Sequence, residues 1–142
     1  MSTETNKAVV RRLYEDIFSD GQLDVADEII AAGYQESGPL ALPGSPPGPE
    51  GLEMLATYYR GAFPDIRFTV EEQIAEGDMV ATRWTSIGTH TGELAGIPPT
   101  NARGTNTGVS IDRVVDGKIV ESWSIFDELR MLRGIGVIPP EE

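Results

Sequence analysis

The sequence predicts an α+β fold, with N-terminal helices packed on one face of a curved, mostly antiparallel sheet. Three observations predict it. Apolar residues recur at helical spacing through the first half of the chain. After Asp65 the alternation changes to a period of two. The strand-like segments of the second half are joined by short turns, of which Asp116-Gly117 is the strongest hairpin signal.

The elements follow in order. Val10, Leu13, Tyr14 and Ile17, widened by Val9 and Phe18, predict a helix over 5–19 that Asp20-Gly21 ends. Leu23, Ala26, Ile29 and Ile30 predict a short second helix, terminated at Gly33. The Pro/Gly-rich stretch 37–49 is a loop near the upper length for a structureless connection, and long loops often carry function. Pro49 suits the first turn of a third helix, whose stripe is Leu52, Leu55, Ala56, Tyr59 and Phe63 and which Pro64 stops. Ile66, Phe68 and Val70 alternate with Arg67, Thr69 and Glu71 in a half-buried strand. A strand over 79–90 follows the Gly77-Asp78 turn, then a loop with Gly92, Gly96, Pro98 and Pro99. Two further strands, 105–115 and 118–126, flank Asp116-Gly117, and a terminal helix covers 128–133. A curved sheet covered by helices encloses a pocket at its open end, and such pockets are the default ligand sites.

At 142 residues and 15.4 kDa the chain predicts one domain spanning 1–142. With no cysteine, disulfides, thiol catalysis and cysteine-ligated metals are excluded. A single histidine, His90, excludes a multi-histidine metal site, and no acidic cluster has convincing ligand spacing. The net charge of −12 argues against nucleic acid and anionic membrane surfaces as partners and favours a neutral or apolar substrate. No phosphate-binding glycine motif occurs in strand-to-helix context, so no nucleotide cofactor is implied. The N-terminus is polar and acidic, no apolar run reaches the ~20 residues of a membrane span, and a cytoplasmic location is expected.

The remaining chemistry rests on few residues. Strand parity groups Asp127 with Trp123 and Ile125, an apolar setting that would raise a carboxyl's pKa and strengthen it as a base. Asp127 also stands where an N-cap belongs, just before Glu128-Leu129-Arg130. Arg113, grouped with Val109 and Ile111, either pairs with Asp127 or snorkels to the rim. His90 shares parity with Trp84 and is either an acid/base or a strand-end histidine bonded to the following loop. Tyr34, Met54, Tyr58, Phe63, Trp84 and Trp123 are candidate pocket residues; ordinary core packing is the competing reading for each.

The stretches Gly77-Asp78-Met79-Val80-Ala81-Thr82-Arg83-Trp84, Gly88-Thr89-His90-Thr91-Gly92-Glu93 and Gly96-Ile97-Pro98-Pro99-Thr100 resemble the SnoaL-like polyketide cyclase (ester cyclase) family. So does Asp116-Gly117-Lys118-Ile119-Val120-Glu121-Ser122-Trp123 with Asp127 four residues later. The helical half, from Asn6-Lys7 to Phe63-Pro64-Asp65, fits as well. The resemblance implies a nuclear transport factor 2-like cone and a homo-oligomer, most simply a dimer, associating through the sheet. It implies cofactor-independent aldol-type cyclisation, or a related isomerisation or hydrolysis, of a small apolar carbonyl compound. It makes Asp127 the acid/base; in the reading built on it here, His90 or Arg113 polarises the substrate oxygen. Many members carry histidines where this chain has Ser37 and Arg113. The alternative is a non-catalytic binding module for a small hydrophobic ligand, since fold alone does not transfer activity.

Overall fold

The computed structural model describes residues 2–139. Helix α1 (Thr3–Arg12) begins at Ser2, whose hydroxyl accepts the Thr5 N–H and caps the first turn. It runs on into a π-helical segment, Leu13–Ser19. Leu13, Tyr14, Ile17 and Phe18 are all buried there, a pairing at i, i+1, i+4 and i+5 that suits the wider π turn. The single α-helix expected over 5–19 is thus two windings of one rod.

The second predicted helix is corrected. A 3-10 turn (Leu23–Val25) and one α-helical turn, α2 (Ala26–Ile29), lead directly into strand β1 (Ile30–Glu36). Gly33 lies inside that strand and terminates nothing. Ile30 is buried against the sheet because β1 pairs in parallel with the last strand, Ile30 opposite Ile119. The loop 37–48 follows. Gly48 ends it at φ 87°, its N–H donating to the Tyr34 carbonyl at 2.8 Å. A Cβ there would lie 2.8 Å from the Ala32 carbonyl oxygen, so only glycine fits. Pro49 then opens α3 (Pro49–Ala62) as predicted.

The rest of the chain is β2 (Arg67–Glu76), β3 (Met79–Thr89), β4 (Arg103–Val115), β5 (Lys118–Phe126) and α4 (Glu128–Gly134). The sheet order is β1-β5-β4-β3-β2, antiparallel except for the β1/β5 pair. Asp116 and Gly117 both take positive φ, 51° and 78°, as the tight β4/β5 hairpin requires.

Helices α1 and α3 cover one face of this sheet. Val80, Thr82 and Trp84 of β3, Ser110, Asp112 and Val114 of β4, and Ser122 of β5 are buried beneath them. The opposite face leaves Val109, Ile111, Trp123 and Ile125 exposed, with Ile111 opposite Trp123 and Val109 opposite Ile125. This reverses the expected sides: Val109 and Ile111 of β4 and Trp123 and Ile125 of β5 face outward, and Ser110, Asp112 and Ser122 face the core.

Candidate functional site

Between the inner sheet face and the helices lies a cavity of about 100 Å³. Its floor is β-sheet: Trp84, Ser86, Asn106, Ser124 and Phe126. Its roof is helical: Tyr14 and Phe18 from the π-helical segment and Leu55, Tyr59 and Phe63 from the α3 region. Residues Arg130, Met131 and Ile135 close the side where α4 lies across the sheet. The aromatic end is tightly built: the Trp84 ring sits 5.0 Å from Phe68 and 6.2 Å from Tyr14, centre to centre. Burial pushes the Tyr59 hydroxyl up to about 12, so it stays a neutral donor.

A second cavity of about 210 Å³ lies beside it, lined by Tyr34, Glu36 and the loop residues Ala41, Leu42 and Pro46. Leu55 borders both spaces. So does the Glu36–Ser124 contact: Ser124 Oγ, on the floor of the first, donates to Glu36 Oε2 at 3.1 Å. Glu36 Oε1 also accepts the backbone N–H groups of Ser124 (2.8 Å) and Gly38 (3.2 Å). Burial raises the Glu36 carboxyl above its ordinary pKa, against these hydrogen bonds, which lower it.

Beneath the first cavity is a buried polar chain that the sequence reading did not single out. Tyr14 donates to Ser110 Oγ at 2.6 Å, and Ser110 donates to Asp112 Oδ2 at 3.0 Å. Ser122 donates to the other carboxyl oxygen, and the Tyr34 hydroxyl lies against Ser122. Asp112 is fully buried, and burial pushes its carboxyl up to about 7, opposed by its two serine donors. One carboxyl is therefore linked through paired serines to tyrosines that line the two cavities. The available signal was Ser-x-Asp in one strand facing Ser-x-Ser in its neighbour, with 110 opposite 124 and 112 opposite 122.

The predicted residues separate. Phe63 and Trp84 line the first cavity and Tyr34 the second. Tyr58 packs edge-on against Tyr59, 5.0 Å between centres, outside the cavity wall. Met54 and Trp123 are exposed, Trp123 on the outer sheet face.

Asp127 is exposed, which removes the desolvation expected from its parity with Trp123 and Ile125: those two face outward as well. Its Oδ1 caps α4, accepting the Arg130 N–H at 3.0 Å. It stands between two cavity-wall residues, Phe126 and Arg130, and its Oδ2 has no hydrogen-bond partner among the described residues.

Arg113 does not pair with Asp127. It holds both oxygens of Asp78 at 2.9 Å and approaches Glu121 at 3.5 Å, because the sheet register sets it beside those residues. His90 is fully buried; its Nδ1 is 3.0 Å from Thr100 Oγ1 and accepts the Thr100 N–H at 3.3 Å. That is the loop-bonded alternative, with the ring 5.4 Å from Phe63 and outside the cavity lining. Arg130, unmarked in the sequence reading, is the cation at the cavity mouth, donating through Nη2 to Thr105 Oγ1 at 2.6 Å and through Nε to the Thr105 carbonyl.

Among the described residues no group of three or more His, Asp or Glu side chains could hold a metal ion. No helix among them is long and apolar enough to cross a membrane.

The family model for SnoaL-like polyketide cyclases matches residues 8–135. The chain is 31% identical over 137 residues to aklanonic acid methyl ester cyclase DnrD of Streptomyces peucetius, covering 96% of this chain and 92% of the relative. It is 32% identical over 126 residues to nogalonic acid methyl ester cyclase of Streptomyces nogalater, covering 88% and 93%. Among solved structures, IdmH of Streptomyces antibioticus, described as a putative polyketide cyclase, superposes with a TM-score of 0.77 at 34% identity, covering 92% of this chain and 98% of that one. TsrD of Streptomyces laurentii superposes with a TM-score of 0.87 at 20% identity, covering 97% and 99%, and bears on the fold alone.

Proposed function

Because this chain belongs to the SnoaL-like polyketide cyclase family, we propose that it closes a ring in an apolar carbonyl compound of the polyketide methyl ester class. The observation that carries this reading is the aromatic cavity with a short list of polar groups on its floor and an arginine at its mouth. The reaction is an intramolecular aldol addition. A base takes a proton from the carbon beside one carbonyl, the resulting enolate carbon bonds to a second carbonyl carbon, and the alkoxide recovers a proton. Composition is unchanged and no electrons are exchanged, so no cofactor is required.

In this proposal Asp127 is the acid/base. Its Oδ1 is held by the α4 cap while Oδ2 is left for a proton, and its neighbours Phe126 and Arg130 both line the cavity. Arg130 would face the developing oxyanion more directly than Arg113, whose guanidinium is taken up by Asp78 and Glu121. His90 is left with a positioning role through Phe63, against which its ring packs. At about 100 Å³ the cavity is smaller than the ~300–1,000 Å³ of ordinary ligand sites, so a full polyketide ester enters only if the α4 wall shifts. That helix buries none of its own residues.

Incubation with aklanonic or nogalonic acid methyl ester tests the reading: a product of unchanged mass and altered retention supports it. A binding module without turnover is the second reading. It is favoured by one observation: no carboxylate lines the first cavity itself, Asp112 and Glu36 reaching it only through serines. The outward patch of Val109, Ile111, Trp123 and Ile125 supports a further proposal, a dimer formed through the sheet. A cytoplasmic location also remains a proposal.

A further inference from the structure

Trp84 has an indole N–H with no acceptor among the described residues, although the side chain is only 6% exposed. An unpaired buried donor is costly, and nearly all such groups in folded proteins have a partner. Of the polar floor residues, Ser124 is engaged with Glu36, the Asn106 side-chain oxygen with the Thr107 N–H, and Ser86 makes no hydrogen bond to the indole; Ser110, beneath the floor, is engaged with Tyr14 and Asp112.

The ring is held in place by its surroundings. Gly108 lies directly opposite Trp84 in the neighbouring strand. A Cβ at Gly108 would collide with Cζ2 and come within 2.6 Å of Cε2, the indole carbon bonded to the nitrogen. The glycine thus makes room for the nitrogen-bearing edge of the ring against the sheet floor. Phe68 and Tyr14 fix the other sides. Trp84 is also part of the cavity wall, in a lining that is otherwise largely apolar.

We infer that the Trp84 indole N–H is the donor that holds a carbonyl oxygen of the guest at the aromatic end of the cavity. This is a positioning role and rests on the reading that the cavity binds a carbonyl compound. A hydrogen bond here would orient one carbonyl against the floor while the rest of the guest extends toward Arg130 and Asp127 at the mouth. An apolar guest without such an oxygen would bury itself equally well but leave the donor unpaired, so the site discriminates by hydrogen bonding rather than by shape.

The chain contains two tryptophans, so a nitrogen-15 correlation spectrum carries two indole N–H peaks, and Trp123 on the outer face is an internal control. The probes are acetophenone and α-methylstyrene, which differ in having an oxygen or a methylene at one position. Occupancy is read separately from the methyl signals of Met131 and Ile135 in the cavity wall.

The expected result is that both probes move the methyl signals, only acetophenone moves the Trp84 indole proton downfield, and acetophenone binds about fivefold or more tighter. Trp84→Phe should bring the two affinities together. Methyl shifts from both probes with equal affinity and an indole peak that responds equally to both would overturn the inference and leave the cavity reading standing. Methyl signals that move with neither probe would overturn both.

Discussion

Replacing Asp112 with asparagine probes the most unusual group in the core. The side chain is fully buried, and its pKa stands at about 7 against an ordinary 3.8, a difference of roughly 3 pH units, which corresponds to roughly 4 kcal/mol between the two protonation states. The sign follows from linkage. The folded state keeps the proton that the unfolded chain gives up from about pH 4 upward. The stability associated with the neutral carboxyl is therefore fully present below pH 4, declines as pH rises toward 7, and is lost above it. The amide of the Asp112→Asn variant would retain one acceptor and one donor in the same shape, close to the neutral acid, without any proton to lose. At pH 4 and below, where the carboxyl is neutral in the folded state and largely neutral in the unfolded chain, the variant should match the parent within about 1 kcal/mol, the worth of one altered hydrogen bond. Between about pH 5 and 8 the parent should lose roughly 3 kcal/mol relative to the variant, a divergence of about 1.5 M in urea midpoint at a slope of about 2 kcal/mol/M. Equilibrium urea unfolding at fixed protein concentration measures it. Glu36, also raised by burial, titrates in both proteins and largely cancels in the difference. Midpoints that run parallel across that pH range would refute the buried-acid argument.

Three other outcomes are expected. Asp127→Asn should abolish turnover yet keep the α4 cap, whereas Asp127→Ala should cost about 1 kcal/mol of stability as well; thermal melts beside a turnover assay separate the two roles. Gly108→Ala should destabilise by about 1–3 kcal/mol, because the added methyl meets the Trp84 ring and lies 2.7 Å from the Ile125 carbonyl oxygen; a melt that is unchanged would show the strands move apart freely. Ile111→Glu on the outer face should halve the mass seen by sedimentation without unfolding the chain, and a parent protein already monomeric at high concentration would contradict the sheet-mediated dimer.

Local pattern reached most of the fold. Pro49, the alternation after Asp65 and Asp116-Gly117 each act within a few residues, and α3, β2 and the β4/β5 hairpin form where they indicate. Strand β1 was invisible because Ile29-Ile30 continues a helical stripe and its partner, Ile119, is remote in sequence. Alternation divides a strand into two faces without saying which one is inside. With Val109, Ile111, Trp123 and Ile125 all apolar, the outer face has the pattern of a core face, while the buried face of the same strands carries serines and Asp112. Arg113 and Asp127 share parity but lie at opposite ends of the β4/β5 pair: Arg113 stands opposite Glu121, whereas the Asp127 N–H bonds the Thr107 carbonyl, six residues back along β4. In the site, Phe63 and Trp84 were legible because large aromatics at inward positions have few other places to go. Arg130 was not, since a charge in a short terminal helix reads as solvated until the helix is seen lying across the cavity mouth.

The proposed function requires that this cavity turn over a carbonyl compound rather than merely hold it. The direct measurement is chromatography and mass spectrometry of aklanonic acid methyl ester after incubation with the purified protein. A new species of identical mass is expected, formed by the parent and absent with Asp127→Asn. Recovery of unchanged ester under conditions where the ester demonstrably shifts the Met131 and Ile135 methyl signals would contradict it.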